Sequence, residues 1–202
     1  MISCESEGNA LPQTRTTTKL EAAFDDDAAL AAGTVVAGRY RVLDALGSGA
    51  MGTVYLAEHL AIGRRVALKV VAAGWSKSTA VTRRFRAEAR AASAIGHPNI
   101  VEVLDADELP DGRPFIVMEL LDGRDLLALL RREGPLPWVR VCQLGARIAH
   151  ALHAAHEIGI VHRDLKAENV MLISGPNGEV VKVLDFGIAV TITEGAERAT
   201  RP

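Results

Sequence analysis

Three short β-forming runs follow one another early in the chain, and the connections between them restrict the fold. The turns that separate them, at 47–52 and 61–63, are short and contain glycine. Such connections are too short for a crossover helix, so neighbouring strands must be antiparallel. The β-branched and aromatic residues of the runs are typical of strands. The sequence therefore predicts an antiparallel meander, with strands at Tyr40–Leu43, Thr53–Ala57 and Arg65–Val71.

The pattern after the meander is mainly helical. Apolar residues at steps of four, seven and three predict a helix over about 79–95, which His97-Pro98 ends. A Pro-Asp-Gly turn at 110–112 joins two further predicted strands. The sequence thus indicates an α+β protein, with an antiparallel sheet and one long helix followed by a helical part. The remaining predicted elements are strands at Ile100–Leu104 and Pro114–Glu119, helices at Arg124–Arg132 and Trp138–Gly159, and a hairpin of Val170–Ile173 and Val180–Leu184.

Composition excludes several classes of protein. A chain of 202 residues suits one sizeable domain or two small lobes that share a cleft. The net charge of −2 gives no reason to expect nucleic acid or an anionic membrane as a partner. Cys4 and Cys142 lie far apart, which argues against a disulfide framework. No membrane segment or secretory signal is visible, so we expect a cytoplasmic protein with a disordered N-terminal tail over residues 1–37.

Glycines at 47, 49 and 52 form a G-x-G-x-x-G pattern. Two kinds of nucleotide site use this pattern, and in the dinucleotide fold it opens a helix. Here a predicted strand follows Gly52, so the glycines lie at the tip of a hairpin. Backbone N–H groups can approach phosphates closely where no Cβ intervenes. The alternative is a plain hairpin turn.

Lys69 and Glu88 are two charged residues in apolar surroundings. Alternation along the predicted strand places Lys69 on one face with Ala67, flanked by apolar neighbours. Glu88 falls on the apolar stripe of the predicted helix. Burying an unpaired charge costs folding free energy. Pairing Lys69 with Glu88 would remove this cost for both side chains and would direct Lys69 toward an anion. In the alternative, both side chains reach water.

A charged run from His162 to Asn169 lies between an apolar helix and an apolar strand, which indicates a polar site at the edge of the core. Asn169 precedes the first strand of the predicted hairpin and Asp185 follows the second, so the hairpin brings them side by side. Two oxygen donors at one place suit Mg²⁺ when phosphates supply the other ligands. Asp164 would lie near that metal, where it could accept a proton from an attacking hydroxyl.

Two other groups of residues have simpler explanations. Three histidines recur at every third position on the long helix, but they drift around its surface, so ordinary helix residues are favoured over a zinc site. A group of arginines is explained by the solvent face of the Glu88 helix, and nucleic-acid binding is disfavoured. These residues are His150, His153 and His156, and Arg83, Arg84, Arg86 and Arg90.

Taken together, these segments resemble the protein kinase family, in the Ser/Thr branch found in bacteria. The resemblance runs from about Gly38 to the Asp-Phe-Gly triplet at 185–187. It implies a bilobal kinase-like fold, with an N-lobe at 38–121 and only the upper part of the helical C-lobe at 122–202. It also implies that ATP and Mg²⁺ are the cofactors and that proteins with Ser or Thr hydroxyls are the substrates.

The resemblance further implies a role for each matching residue. Lys69, held by Glu88, would contact the α- and β-phosphates, and Lys166 the γ-phosphate. Asp164 would orient and deprotonate the acceptor hydroxyl. His162 and Phe186 would be structural. Asp185 and Asn169 would hold the metal. The nucleotide would be bound by the loop residues Leu46, Gly47, Ser48, Gly49, Ala50, Met51, Gly52, Thr53 and Val54, by Ala67 and the gatekeeper Met118, and by the hinge Glu119-Leu120-Leu121.

Two departures from the family pattern bear on activity. Ala167 stands where proline is usual, and no Ala/Ser-Pro-Glu motif occurs before Pro202. Without the later helices, apolar faces would be exposed and the chain could be inactive alone. The two functional alternatives are therefore a Ser/Thr protein kinase and an ATP-binding or scaffold remnant without turnover.

Overall fold

The computed structural model describes residues 29–49, 52–73, 79–175 and 178–186. Nine strands and three α-helices lie within these ranges, and a short 3₁₀ turn covers Ala167–Asn169. The strands are β1 (Val35–Val36), β2 (Tyr40–Gly49), β3 (Gly52–His59), β4 (Arg65–Val71), β5 (Val103–Glu108), β6 (Pro114–Glu119), β7 (Gly123–Asp125), β8 (Val170–Gly175) and β9 (Gly178–Val183). The helices are α1 (Thr79–Ala94), α2 (Leu126–Glu133) and α3 (Trp138–Glu157).

The first part of the chain forms a six-stranded sheet in the order β1-β2-β3-β4-β6-β5. Every pair of neighbours is antiparallel, so the predicted meander is confirmed. Alternation along β4 buries Val66, Leu68 and Val70 in one core cluster and Ala67 in another, on the side of α1. Lys69 shares that second side and points away from the first cluster.

The second part consists of two helices and a three-stranded sheet in the order β7-β8-β9. The predicted β8–β9 hairpin is present, and Gly175 pairs with Gly178 at its tip. Helix α3 packs on this hairpin, because Ala151 and Ala155 are fully buried in one cluster with Val183. The edge of the hairpin nearest to Asn169 is thus held against the helix.

The strand predicted at Ile100–Leu104 is present but its predicted bounds are wrong, since β5 spans Val103–Glu108. Ile100 and Val101 are buried, but their backbone belongs to a connection between the two sheets. Ile100 forms a parallel bridge with Val183, and the Val101 N–H donates to the Val183 carbonyl at 3.0 Å. The apolar pattern therefore reflected burial between two parts of the molecule.

Two predicted boundaries also need correction. Residues 29–37 were assigned to the tail, but β1 pairs with β2, and the Leu30 N–H donates to the Tyr55 hydroxyl at 2.9 Å. Residues 1–28 lie outside the described residues, so the disorder predicted there stays a prediction. Helix α2 begins at Leu126 because Asp125 caps it, accepting from the Ala128 N–H at 2.7 Å.

Gly52 is fixed by the packing of the sheet itself. Its φ is +140°, and a Cβ there would lie 2.0 Å from the Val70 carbonyl oxygen. Gly47 and Gly49 differ, since an added Cβ would meet no described atom within 4 Å. The packing of the sheet thus requires glycine at position 52, whereas Gly47 and Gly49 leave open space beside the hairpin.

We expect Gly52→Ala to destabilise the protein by about 2 kcal/mol or more, because the backbone of β4 must move and an unfavourable φ is retained. Gly47→Ala is the matched control, with an expected change within about 0.5 kcal/mol. Urea unfolding followed by circular dichroism measures both. Equal stability of the two variants would contradict the packing argument.

Candidate nucleotide and metal site

Charged side chains from the two sheets meet at one place. The Lys69 Nζ, on β4, lies 2.6 Å from Oδ2 of Asp185, although 116 residues separate them in the sequence. The two side chains are only 15% and 22% exposed. A cation that can contact phosphate and a carboxylate that can bind a metal therefore adjoin each other in a partly desolvated cleft.

The backbone after β9 fixes the position of Asp185. The Leu184 N–H donates to the Asn169 carbonyl at 2.8 Å, so the residue after Leu184 lies beside the end of the 3₁₀ turn. Asp185 itself has a φ of 55°, a left-handed conformation that aspartate tolerates better than most residues. The predicted proximity of Asn169 and Asp185 follows from this backbone contact.

Asn169 is buried, with 8% of its surface exposed, and its amide nitrogen is fully used. Nδ2 donates to the Asp164 carbonyl at 2.8 Å and to its Oδ2 at 3.2 Å. Its Oδ1 accepts no hydrogen bond from the described residues. A buried acceptor oxygen without a protein donor fits a metal ligand, so Asn169 and Asp185 suit the hard oxygen ligation that Mg²⁺ prefers.

Asp164 and Lys166 form an ion pair at the mouth of the cleft, with Nζ 2.9 Å from Oδ2. The hydrogen bond from Lys166 is the main cause that lowers the pKa of Asp164, and the Asn169 amide adds to it. The same contact raises the pKa of Lys166. Asp164 is thus held as a carboxylate, the state in which it can accept a proton.

His162 supports the loop from inside and does not face the cleft. Its Nε2 lies 2.7 Å from the Leu184 carbonyl oxygen, and its Nδ1 accepts from the Asp164 N–H at 3.3 Å. A single neutral tautomer, protonated at Nε2, satisfies both contacts. The ring also packs on Phe186, with centroids 4.7 Å apart. The backbone changes direction at Arg163, directly after His162, where φ is +63°.

The predicted adenine-binding residues lie together on the apolar side of the cleft. Ala67 is paired with Met118 across β4 and β6, and Val54 is paired with Lys69 across β3 and β4. Leu121 packs on the same buried cluster. An apolar wall therefore extends from the hinge to the ion pair, which is the order of groups that a purine followed by phosphates requires.

Some predicted residues are not tested by the geometry. Ala50, Met51 and Gly187 lie outside the described residues, and so does the side chain of Glu88, so the Lys69–Glu88 pair stays a prediction. The described partner of Lys69 is Asp185. The other loop residues line the hairpin formed by β2 and β3, namely Leu46, Gly47, Ser48, Gly49, Gly52 and Thr53.

Sequence reasoning missed Lys182, on β9. Its Nζ lies 2.5 Å from Oε1 of Glu119, and the two side chains are 13% and 20% exposed. The available signal was a lysine inside an apolar strand, the same signal that pointed to Lys69. Its partner Glu119 lies 63 residues away in the sequence, so no local pattern identifies the pair.

Comparison with known proteins agrees with this geometry. Residues 40–201 match the family described as protein kinase domain, so the chain belongs to the protein kinase family. Serine/threonine-protein kinase Pkn1 of Myxococcus xanthus is 48% identical over 153 residues, covering 75% of this chain and 22% of that protein. Serine/threonine-protein kinase PknB of Mycobacterium tuberculosis is 42% identical over 166 residues, covering 81% of this chain and 26% of that protein.

The fold is also that of solved kinase domains. The crystal structure of the Mycobacterium tuberculosis PknI kinase domain matches with a TM-score of 0.71 and 38% identity, over 79% of this chain and 64% of that one. The predicted kinase-like fold is thus confirmed. The chain spans about a quarter of the length of the two relatives above. Within the described residues, no helix is long and apolar enough to cross a membrane.

We expect Lys166→Met to raise the pKa of the Asp164 carboxyl toward its ordinary value, because the variant removes the main group that lowers it. In the native protein this carboxylate stays ionised as the pH falls below the pKa of an unfolded aspartate. The stability it contributes is fully present above the unfolded pKa and is lost progressively as the pH falls from that value through the lower folded pKa. NMR titration of ¹³C-labelled aspartate measures the shift. Asp125, which caps α2, is the internal control. An unchanged pKa at Asp164 would contradict the assignment of Lys166 as the main group that lowers it.

Proposed function

We propose that this chain binds Mg·ATP between the glycine hairpin and the β8–β9 hairpin, as the catalytic part of a protein that phosphorylates Ser and Thr hydroxyls of other proteins. The observation that carries the proposal is the 2.6 Å contact of Lys69 with Asp185. It joins the nucleotide-facing sheet to the segment after β9, which a hydrogen bond from the Leu184 N–H to the Asn169 carbonyl holds beside Asn169. Membership in the protein kinase family and the names of the relatives support it.

Each residue has a role in this proposal that follows from its position. Lys69 would bind the α- and β-phosphates, with Glu88 as its predicted helix partner. Met118 and the hinge backbone would place the adenine against Ala67. Asn169 and Asp185 would hold Mg²⁺, which when bound neutralises charge on the phosphates.

The transfer step itself requires little covalent chemistry from the protein. The Asp164 carboxylate would orient the acceptor hydroxyl and take its proton as the oxygen forms a bond to the γ-phosphorus. The bond from that phosphorus to the β,γ-bridging oxygen breaks, and ADP leaves. The Lys166 Nζ lies 2.9 Å from Oδ2 of Asp164, and in this proposal its ammonium group would stabilise charge on the transferred group.

The second candidate is an ATP-binding protein without turnover. It is favoured by one observation, the exposure of Val161 and Leu165 on either side of the His162–Asp164 segment, at 53% and 45%. Apolar side chains that are about half exposed bury less area than fully packed ones, so they contribute less to holding the catalytic loop in place. The two candidates differ in phosphoryl transfer and not in nucleotide binding. The predicted cytoplasmic location and the predicted division of the chain into two lobes between residues 121 and 122 stay predictions.

Direct tests of the proposal are nucleotide binding and radiolabel transfer. We expect the 202-residue chain to bind ATP in a Mg²⁺-dependent way by calorimetry. A longer chain that includes the rest of a kinase domain should transfer ³²P from ATP to a generic basic protein. Binding without transfer in that longer chain would favour the second candidate.

In the longer chain, Lys69→Met and Asp164→Asn should each reduce transfer by about a thousand-fold or more, since each removes a group that acts on the reacting phosphates or hydroxyl. Arg140→Met is the matched control and should keep most of the activity, because its partner Glu179 lies next to the tip of the β8–β9 hairpin, at the end away from Asn169 and Asp185. Circular dichroism checks that the variants fold. Full activity of either site variant would refute the assignment of that residue.

Gly49→Ala tests the hairpin separately from folding. Since an added Cβ meets no described atom within 4 Å, stability should change little, whereas ATP affinity should fall by about ten-fold because the backbone can no longer approach the phosphates. Gly145→Ala, in α3, is the control and should leave affinity unchanged. Equal ATP affinity of Gly49→Ala and the native protein would favour the plain hairpin turn.

A further inference from the structure

The contact between Lys182 and Glu119 joins three parts of the chain that meet behind the cleft. Besides the 2.5 Å contact of Nζ with Oε1, the Lys182 Nζ donates to the Ile100 carbonyl at 3.3 Å. The same Oε1 of Glu119 accepts from the Glu102 N–H at 2.8 Å. The Glu119 N–H in turn donates to the Glu102 carbonyl at 3.0 Å. We call these four residues the rear network.

The members of the rear network are placed directly beside both halves of the proposed nucleotide site. Glu119 is the last residue of β6 and the first of the hinge that would bind adenine. Lys182 lies on β9, shortly before Asp185, which would bind the metal. The network is thus the ionic link between the adenine end and the phosphate end of the cleft, on the side away from the ligand.

Packing alone does not fix the Lys182 side chain. A cavity of about 390 Å³ adjoins it, and Ser93, Gly96 and His97 also line that cavity. A long side chain beside open space can take several rotamers, so its observed position depends on its two acceptors. Because both charged groups are largely buried, loss of one partner leaves the other charge poorly compensated.

We propose that Lys182 and Glu119 are positioning residues, which hold the hinge and the Asp185 segment at the spacing that one molecule of Mg·ATP spans. This inference rests on the proposed nucleotide site. Neither side chain touches the ligand. The affinity of a ligand that occupies only one end of the cleft does not depend on this spacing. ATP binds both ends at once, so a fixed separation between them raises its affinity.

The test compares three ligands on Lys182→Met in the full 202-residue chain. Calorimetry with adenosine reports on the hinge alone, Mg·tripolyphosphate on the phosphate end alone, and Mg·ATP on both. We expect Mg·ATP affinity to fall by about ten-fold while the other two change less than about two-fold. Lys182→Arg, which keeps the charge, should restore Mg·ATP binding to within about three-fold.

Arg140→Met is the matched control. It removes a contact of similar length from the same hairpin, 2.7 Å to Oε2 of Glu179, without touching the hinge. It should leave all three affinities unchanged. An equal loss for all three ligands with Lys182→Met, or no loss for Mg·ATP, would overturn the proposal. If Lys182→Met does not fold, Lys182→Gln replaces it with the same expected pattern.

Amide hydrogen exchange separates this inference from the proposed function. Without nucleotide, Lys182→Met should speed exchange at the Glu102 and Glu119 amides at least about five-fold, while Arg140→Met should not. If the native protein fails to bind Mg·ATP, the proposed function fails, yet faster exchange at these amides would still support the joining role of Lys182. Unchanged exchange would overturn it.

Discussion

The backbone contact between residues 99–101 and β9 is the constraint on which the cleft depends. The Val183 N–H donates to the Asn99 carbonyl at 2.8 Å, and the Val101 N–H donates back to Val183 at 3.0 Å. The Asn99 side chain adds a bond to the Val181 carbonyl. These bonds fasten the loop after α1 to the hairpin that leads to Asp185. Groups on two separate sheets can therefore meet at distances suitable for chemistry.

Local patterns in the sequence predicted most of the elements and the chemistry of the cleft. The bounds of β4 and β6 agree with prediction because both are mainly apolar, β-branched or aromatic runs, and turns separate them from the preceding strands. The neighbouring positions of Asn169 and Asp185 followed from hairpin geometry alone. Lys69 was found because a charge in a buried strand requires a partner. Each of these inferences uses contacts that are close in sequence or forced by strand pairing.

The predictions that failed depend on contacts between distant segments. Ile100 is apolar and β-branched, and nothing near it shows that it pairs with β9 rather than starting β5. The pairing of Gly123 with Ile173, which creates β7, also joins residues that are remote in sequence. The partner of Lys182 could not be identified without the fold, because its strand and the hinge lie far apart in the chain. Tertiary pairing overrides local propensity at these positions.

The backbone at Asp185 has one more consequence. A φ of 55° is accessible to asparagine at least as readily as to aspartate, but it is strained for branched or bulky residues. The shape of this corner therefore does not depend on the negative charge it carries. Replacement of Asp185 by asparagine would remove the charge and keep this backbone conformation. The charge at residue 185 and the turn of the backbone there can therefore change independently of each other in evolution.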